Sequence, residues 1–236
     1  MDSWKLEPAQ DLGLPLGARL RSVQREQGLV PYLMHLVCSV WVRVILAVYH
    51  RLEIVGRENL PKQGPFVLAS NHTSHLDVAV LASALNWRLR CNAFPIAAGD
   101  TFFETPMIAV ASAVLINALP MWRKKRGIAH ELADLRQRLL ARQCIYIVFP
   151  EGTRSRTGEM GTFKAGVAMI VAGTAVPVVP CRLAGAFEAL PPGKRMPRPR
   201  KIVLKIGPNL RFDGVVDNRV GWDEIASRLE SAVKDL

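Results

Sequence analysis

An α/β fold, a mixed and largely parallel sheet flanked by helices, is predicted for this chain by three observations. Short apolar runs of strand length recur at Phe66–Ser70, Ile145–Phe149, Val178–Arg182 and Ile202–Ile206. Near-continuous apolarity over so few residues reads as strand buried on both faces. Helix-length amphipathic segments accompany them: 128–142 stacks Ile128, Leu132, Leu135 and Leu139 on one stripe, and Trp222–Leu236 does the same with Ile225, Leu229, Ala232 and Leu236. From residue 57 onward the two kinds alternate, the order that builds a parallel sheet with helical crossovers.

Taken in order, residues 1–28 are irregular or at best amphipathic. Val30 to Tyr49 is nearly all apolar, with Pro31 suited to a first helical turn. Twenty helical residues reach about 30 Å, enough to cross a bilayer. Arg43 lies deep inside the run and His35 near its start, and a central arginine is costly in hydrocarbon. A helix lying in the membrane surface is therefore favoured over a spanning one, with a plain core helix as the third reading. Residues 1–50 are taken as an N-terminal membrane-associating segment and 51–236 as the main domain. In the latter a helix begins near Ser74, Cys91–Ile96 and Val114–Asn117 are expected as strands, and Asp134 with Arg138 forms an i,i+4 pair on helix 128–142. Gly166–Gly173 is small enough for a helix packed close on the sheet.

The chain of 236 residues is 50% hydrophobic and carries a net charge of +11. Residues 1–28 are balanced, so the excess lies beyond them, and between Ala186 and Lys205 six basic residues face only Glu188. Apolarity joined to clustered positive charge fits an anionic membrane surface. A nucleic-acid role has little support: there is no zinc-finger spacing, aromatic-basic interleaving or clear basic recognition helix. Cys38, Cys91, Cys144 and Cys181 form no C-x-x-C pair, which suits a reducing compartment, and no signal peptide is evident.

Three segments carry candidate chemistry. His72-Thr-Ser-His-Leu-Asp77 follows the first buried strand, so His72 falls at a strand's carboxyl end, where open α/β sheets place their sites. A carboxylate five residues on can orient a histidine base. Equally, Ser74-His-Leu-Asp77 has the form of a capping box, in which Asp77 serves a helix terminus. His72 and His75 could pair on a metal, but the chain offers no clear third ligand. The second segment, Phe149-Pro-Glu-Gly-Thr-Arg154-Ser155, breaks another strand with an acid, a glycine and an arginine together. Arginine can hold a phosphate bidentately, and the alternative is an ordinary charged turn. Lys164 follows, beside Gly166 at a helix start. The third is Trp122-Arg-Lys-Lys-Arg126, a basic run after an apolar stretch. Val176-Pro-Val-Val-Pro180 reads as a buried strand with rigid ends.

In this order the segments resemble the glycerolipid acyltransferase family typified by 1-acyl-glycerol-3-phosphate acyltransferase. Asn71-His72-Thr-Ser-His-Leu-Asp77 resembles its first motif, Phe149–Ser155 its third and Val176–Pro180 its fourth, across roughly residues 50–210. The second motif departs: Leu115-Ile-Asn-Ala-Leu-Pro-Met-Trp-Arg123 lacks the aspartate that usually precedes the arginine, which leaves the acceptor open. The resemblance implies transfer of a fatty acyl group from a coenzyme A or acyl carrier protein thioester to the sn-2 hydroxyl of a lysophosphatidate, at the cytoplasmic face of a membrane, a bacterial inner membrane among the candidates. It implies His72 as base and Asp77 as its orienter. It assigns Glu151, Gly152 and Thr153 to the site, Arg154 and Arg123 to the acceptor phosphate, and Lys164 to assistance. The acyl donor is a co-substrate, and neither cofactor nor metal is required. Other lysolipid acceptors, or a catalytically silent lipid-binding role, stand as alternatives.

Overall fold

The computed structural model describes residues 29–98, 116–122, 127–194 and 196–236, with Ser112 and scattered residues between 13 and 25. In chain order these form α1 (Leu29–Val48), β1 (Glu53–Val55), a 3-10 turn (Arg57–Asn59), β2 (Phe66–Ser70), α2 (Asp77–Ala84), α3 (Trp87–Cys91) and β3 (Ala93–Ala98). There follow β4 (Leu119–Met121), α4 (Ile128–Arg142), β5 (Ile145–Val148), α5 (Gly166–Val171), β6 (Val178–Ala184), α6 (Ala186–Ala189), β7 (Val203–Ile206) and α7 (Arg219–Lys234).

The strands form one seven-stranded sheet ordered β1-β7-β6-β2-β5-β3-β4. Every pairing is parallel except β6 with β7, so β1 and β7 run opposite to the other five. β2 and β5 lie at the centre with all nine residues buried. Their alternation feeds two separate cores. Val67, Ala69, Tyr146 and Val148 pack on one face against Leu132, Leu135 and Leu139 of α4, with α5 and α7 beside it. Phe66, Leu68, Ile145 and Ile147 pack on the other against Val80 and Leu81 of α2, with Leu46 of α1 and α6 beside them. This two-layered burial is why the strands are apolar without alternation.

The elements depart from the sequence expectations where turn chemistry is decisive. The strand expected from Cys91 begins at Ala93, because Asn86 caps a short helix over Trp87–Cys91 by accepting Leu89 N–H at 2.9 Å. Of the strand expected at Val114–Asn117, Val114 and Leu115 lie outside the described residues; Ile116 and Asn117 are not strand, Asn117 turns the chain at φ +54°, and β4 follows at Leu119–Met121. α2 starts at Asp77 rather than near Ser74. β1 and α6 were not anticipated. Among the described residues no helix is long and apolar enough to cross a membrane. α1 instead buries Leu46 and leaves Leu33, Val37, Val40, Trp41, Val44 and Val48 exposed.

Candidate active site

Register places the two charged segments side by side. Ala69 of β2 pairs with Val148 of β5, and three residues beyond that pair stand His72 and Glu151. The strands are parallel, so both emerge at the same carboxyl edge, the position at which open α/β sheets hold ligands. The Glu151 carboxylate spans the gap: Oε1 accepts the His72 backbone N–H at 2.7 Å and Oε2 accepts that of Gly161 at 2.9 Å. Burial pushes the Glu151 carboxyl up, against the pull of these two N–H groups. The Ser155 N–H closes the loop onto the His72 carbonyl at 2.8 Å.

His72 is held on three sides. Nδ1 lies 2.9 Å from Asp77 Oδ2, the ring stacks on Phe149 with centroids 3.9 Å apart and planes 16° from parallel, and its backbone is tied to Glu151. A carboxylate at Nδ1 makes that nitrogen the donor and leaves Nε2 to accept a proton. Its side chain is 20% exposed whereas that of Asp77 is wholly buried. The same Asp77 Oδ2 also accepts the N–H groups of Thr73 at 2.6 Å and Ser74 at 2.8 Å. Asp77 is thus both the first residue of α2, where a negative charge suits the helix dipole, and the partner of His72. The oxygen that orients His72 also bonds back to the turn before α2, whereas the helix's own N-cap, Leu76, has no side-chain cap.

Neighbouring polar groups fasten the loop. The Asn71 side chain continues the β2–β6 ladder by donating to Leu183 O at 2.9 Å and accepting Leu183 N–H at 2.8 Å. The Ser74 hydroxyl donates to Leu190 O at 2.9 Å and accepts Leu76 N–H. Neither Asn71 nor Phe149 had been singled out for a role beyond its local turn or strand. The signal was present only as an amide and an aromatic adjoining the two charged segments.

Gly152 sits at φ +74°, a turn its lack of a side chain permits, and its N–H is committed to Phe149 O at 2.9 Å. A Cβ there would lie 3.2 Å from Lys164 Nζ, which places the exposed Lys164 against the turn. Thr153 and Arg154 line a cleft of about 320 Å³ with Arg156 and Pro192. Arg154 Nη1 is buried without a hydrogen-bond partner among the described residues. Burial first, then the charges of Arg154 and His72, push the His75 imidazole down, which marks these three as neighbours. Both oxygens of Glu151, expected as a substrate-binding group, accept backbone N–H groups and so brace the loop beside His72. The Gly152 N–H is used inside the turn. Arg123 lies outside the described residues.

The Acyltransferase family model matches residues 51–184. Over 160 residues the chain is 31% identical to the chloroplastic 1-acyl-sn-glycerol-3-phosphate acyltransferase BAT2 of Brassica napus, covering 67% of this chain and 44% of that protein. Over 131 residues it is 32% identical to 1-acyl-sn-glycerol-3-phosphate acyltransferase alpha of Homo sapiens, covering 55% and 44%. The chain spans about half the length of the curated relatives it matches. Among solved structures, the 1-acyl-sn-glycerophosphate acyltransferase PlsC of Thermotoga maritima shares the fold, with a TM-score of 0.64 at 24% identity over 87% of this chain and 76% of that one.

Proposed function

The chain belongs to the Acyltransferase family, and from that premise we propose that it moves a fatty acyl group from an acyl-CoA or acyl-ACP thioester to the sn-2 hydroxyl of 1-acyl-glycerol-3-phosphate, giving phosphatidic acid. The observation that carries this reading is the 2.9 Å contact between His72 Nδ1 and the buried Asp77 at the carboxyl edge of the sheet, beside Arg154.

Nε2 of His72 removes the proton from the acceptor hydroxyl as its oxygen attacks the thioester carbonyl carbon. Asp77 stabilises the positive charge that develops on the ring. The tetrahedral intermediate then collapses, the carbon–sulfur bond breaks, and the imidazolium returns its proton to the departing thiolate. Atoms and charge balance without a covalent enzyme intermediate, because the thioester already carries the activation. Arg154, whose Nη1 is buried without a hydrogen-bond partner among the described residues, is assigned the acceptor phosphate. Lys164 adds positive charge to the turn.

Membrane association belongs to the same proposal. The basic loop 194–201 is tied to Tyr49, the residue after α1, by Tyr49 Oη donating to Pro197 O at 3.0 Å, and to β1 by the Lys201–Glu53 ion pair at 2.6 Å, so it lies by the end of the exposed apolar face of α1. An apolar face rimmed by arginines and lysines suits an anionic bilayer from which lysolipid is drawn.

The test is transfer from a labelled acyl thioester to lysophosphatidate by wild type and His72→Ala. The variant is expected to lose roughly 10²–10⁴-fold in rate, and near-normal turnover would sink the mechanism. A different lysophospholipid acceptor is the second reading, favoured by the missing aspartate before Arg123. An acceptor panel decides between them.

A further inference from the structure

We propose that Arg43 is a positioning residue for the His72–Asp77 pair, setting from the N-terminal helix the place of the helix on which Asp77 stands. The inference rests on the acyl-transfer reading above.

Arg43 is the one charged side chain in α1. Among the described residues it pairs with no acid. Its Nη2 donates to Ser83 O at 3.1 Å and to Leu85 O, the carbonyls at the end of α2. Those are groups a helix leaves without internal partners, at the negative pole of its dipole. Asp77 occupies the positive pole of the same helix. α2 is thus held by opposite charges at its two ends, Asp77 facing His72 and Arg43 reaching in from α1.

The seat is specific. Arg90 of α3 returns a bond to α1, Nη1 to Ser39 O at 3.3 Å, and Leu46 packs with Val80, Leu81 and Leu85. α2 has only eight residues, about 12 Å at 1.5 Å per residue, and so short a rod transmits a shift at one end to the other. Asp77 fixes His72 through a single oxygen, and a displacement of about 1 Å at a reacting group can cost 10²-fold. The exposed face of α1 lies on the same helix as Arg43. Whatever grips that face is coupled to the catalytic pair through this side chain.

Arg43→Gln and Arg43→Lys in the full chain test the assignment, with kcat, KM, thermal unfolding and the downfield proton resonance of the His72 Nδ1–H as readouts. Arg43→Gln is expected to lower kcat by about 10- to 100-fold, to leave the donor KM within about twofold, and to broaden or shift the downfield resonance in protein that remains folded. Arg43→Lys keeps the charge at the helix end without the planar fork and is expected to recover most of the loss. Unchanged kcat in Arg43→Gln, or activity lost only in step with folded protein in both variants, overturns the proposal. A wild type that transfers no acyl group overturns the functional reading instead, and the resonance still reports on Arg43.

Discussion

Asp77→Asn is the sharpest probe of the catalytic pair, because one oxygen carries every bond. Oδ2 accepts from His72 Nδ1, Thr73 N and Ser74 N, while Oδ1 is buried with no partner among the described residues. An asparagine with its carbonyl oxygen in the Oδ2 position keeps all three bonds, and with them the ring's tautomer and orientation. What it loses is charge. The difference between a charge-assisted and a neutral hydrogen bond is about 1 kcal/mol. Two unit charges about 4 Å apart at an effective dielectric near 20 interact by roughly 4 kcal/mol. Since each 1.4 kcal/mol is about tenfold, these bounds span from about fivefold to about a thousandfold. Water at the partly exposed ring screens the interaction, which centres the expected loss near 10²-fold. Asp77→Ala removes the acceptor as well and is expected to be at least as damaging as His72→Ala. The assay is thiol release from the acyl thioester with a chromogenic disulfide, alongside the lipid product and thermal unfolding. A folded Asp77→Asn within about twofold of wild type would refute the charge role. If it is as inactive as Asp77→Ala, the single-oxygen geometry is wrong.

Arg154→Ala is expected to raise KM for a phosphate-bearing acceptor far more than for a neutral glyceride, and an equal effect on both would remove the phosphate from this residue. Glu151→Gln places an amide donor against one of two backbone N–H donors, so it is expected to cost about 1–3 kcal/mol in stability and to lower activity by loosening His72. Unchanged unfolding and turnover would show that the brace is dispensable. Glu230 accepts from Lys234 and from Phe163 N–H, bonds that together hold its carboxyl below the usual glutamate range. The folded value lies below the unfolded one, so the stabilisation is present above an unfolded pKa of about 4.3 and is lost as pH falls through the lower folded value. The stability gap between wild type and Glu230→Gln should therefore be widest near neutral pH and close in acid. A constant gap from about pH 6 to 3 would contradict the linkage.

Much of the architecture was legible in the chain because its signals are local. Central strands buried on both faces must be apolar throughout, so β2 and β5 announced themselves within a residue. The stripe on 128–142 named its helix to the residue. His72 and Asp77 stand five residues apart, a spacing that fitted a helix cap as well as a catalytic pair until the ordered segments that follow were read with it. Elements held by turn chemistry were less legible: Asn86 caps α3, which takes Cys91 from the start of the expected strand, and the left-handed Asn117 turns the chain just before β4.

The sequence by itself determined the α/β class, the central strands and the candidate catalytic pair, since each depends on residues near one another in the chain. Tertiary structure alone decided what those residues touch. The parallel register of β2 and β5 set the Glu151 carboxylate against the backbone of a residue 79 positions away. It also gave Arg43, which looked only like an obstacle in an apolar run, a partner in the far end of α2. Hydrophobic pattern states which face is buried, but not against what. A hydrogen bond across the fold needs two donor and acceptor positions whose meeting is set by sheet order and helix packing, and no spacing along the chain encodes it.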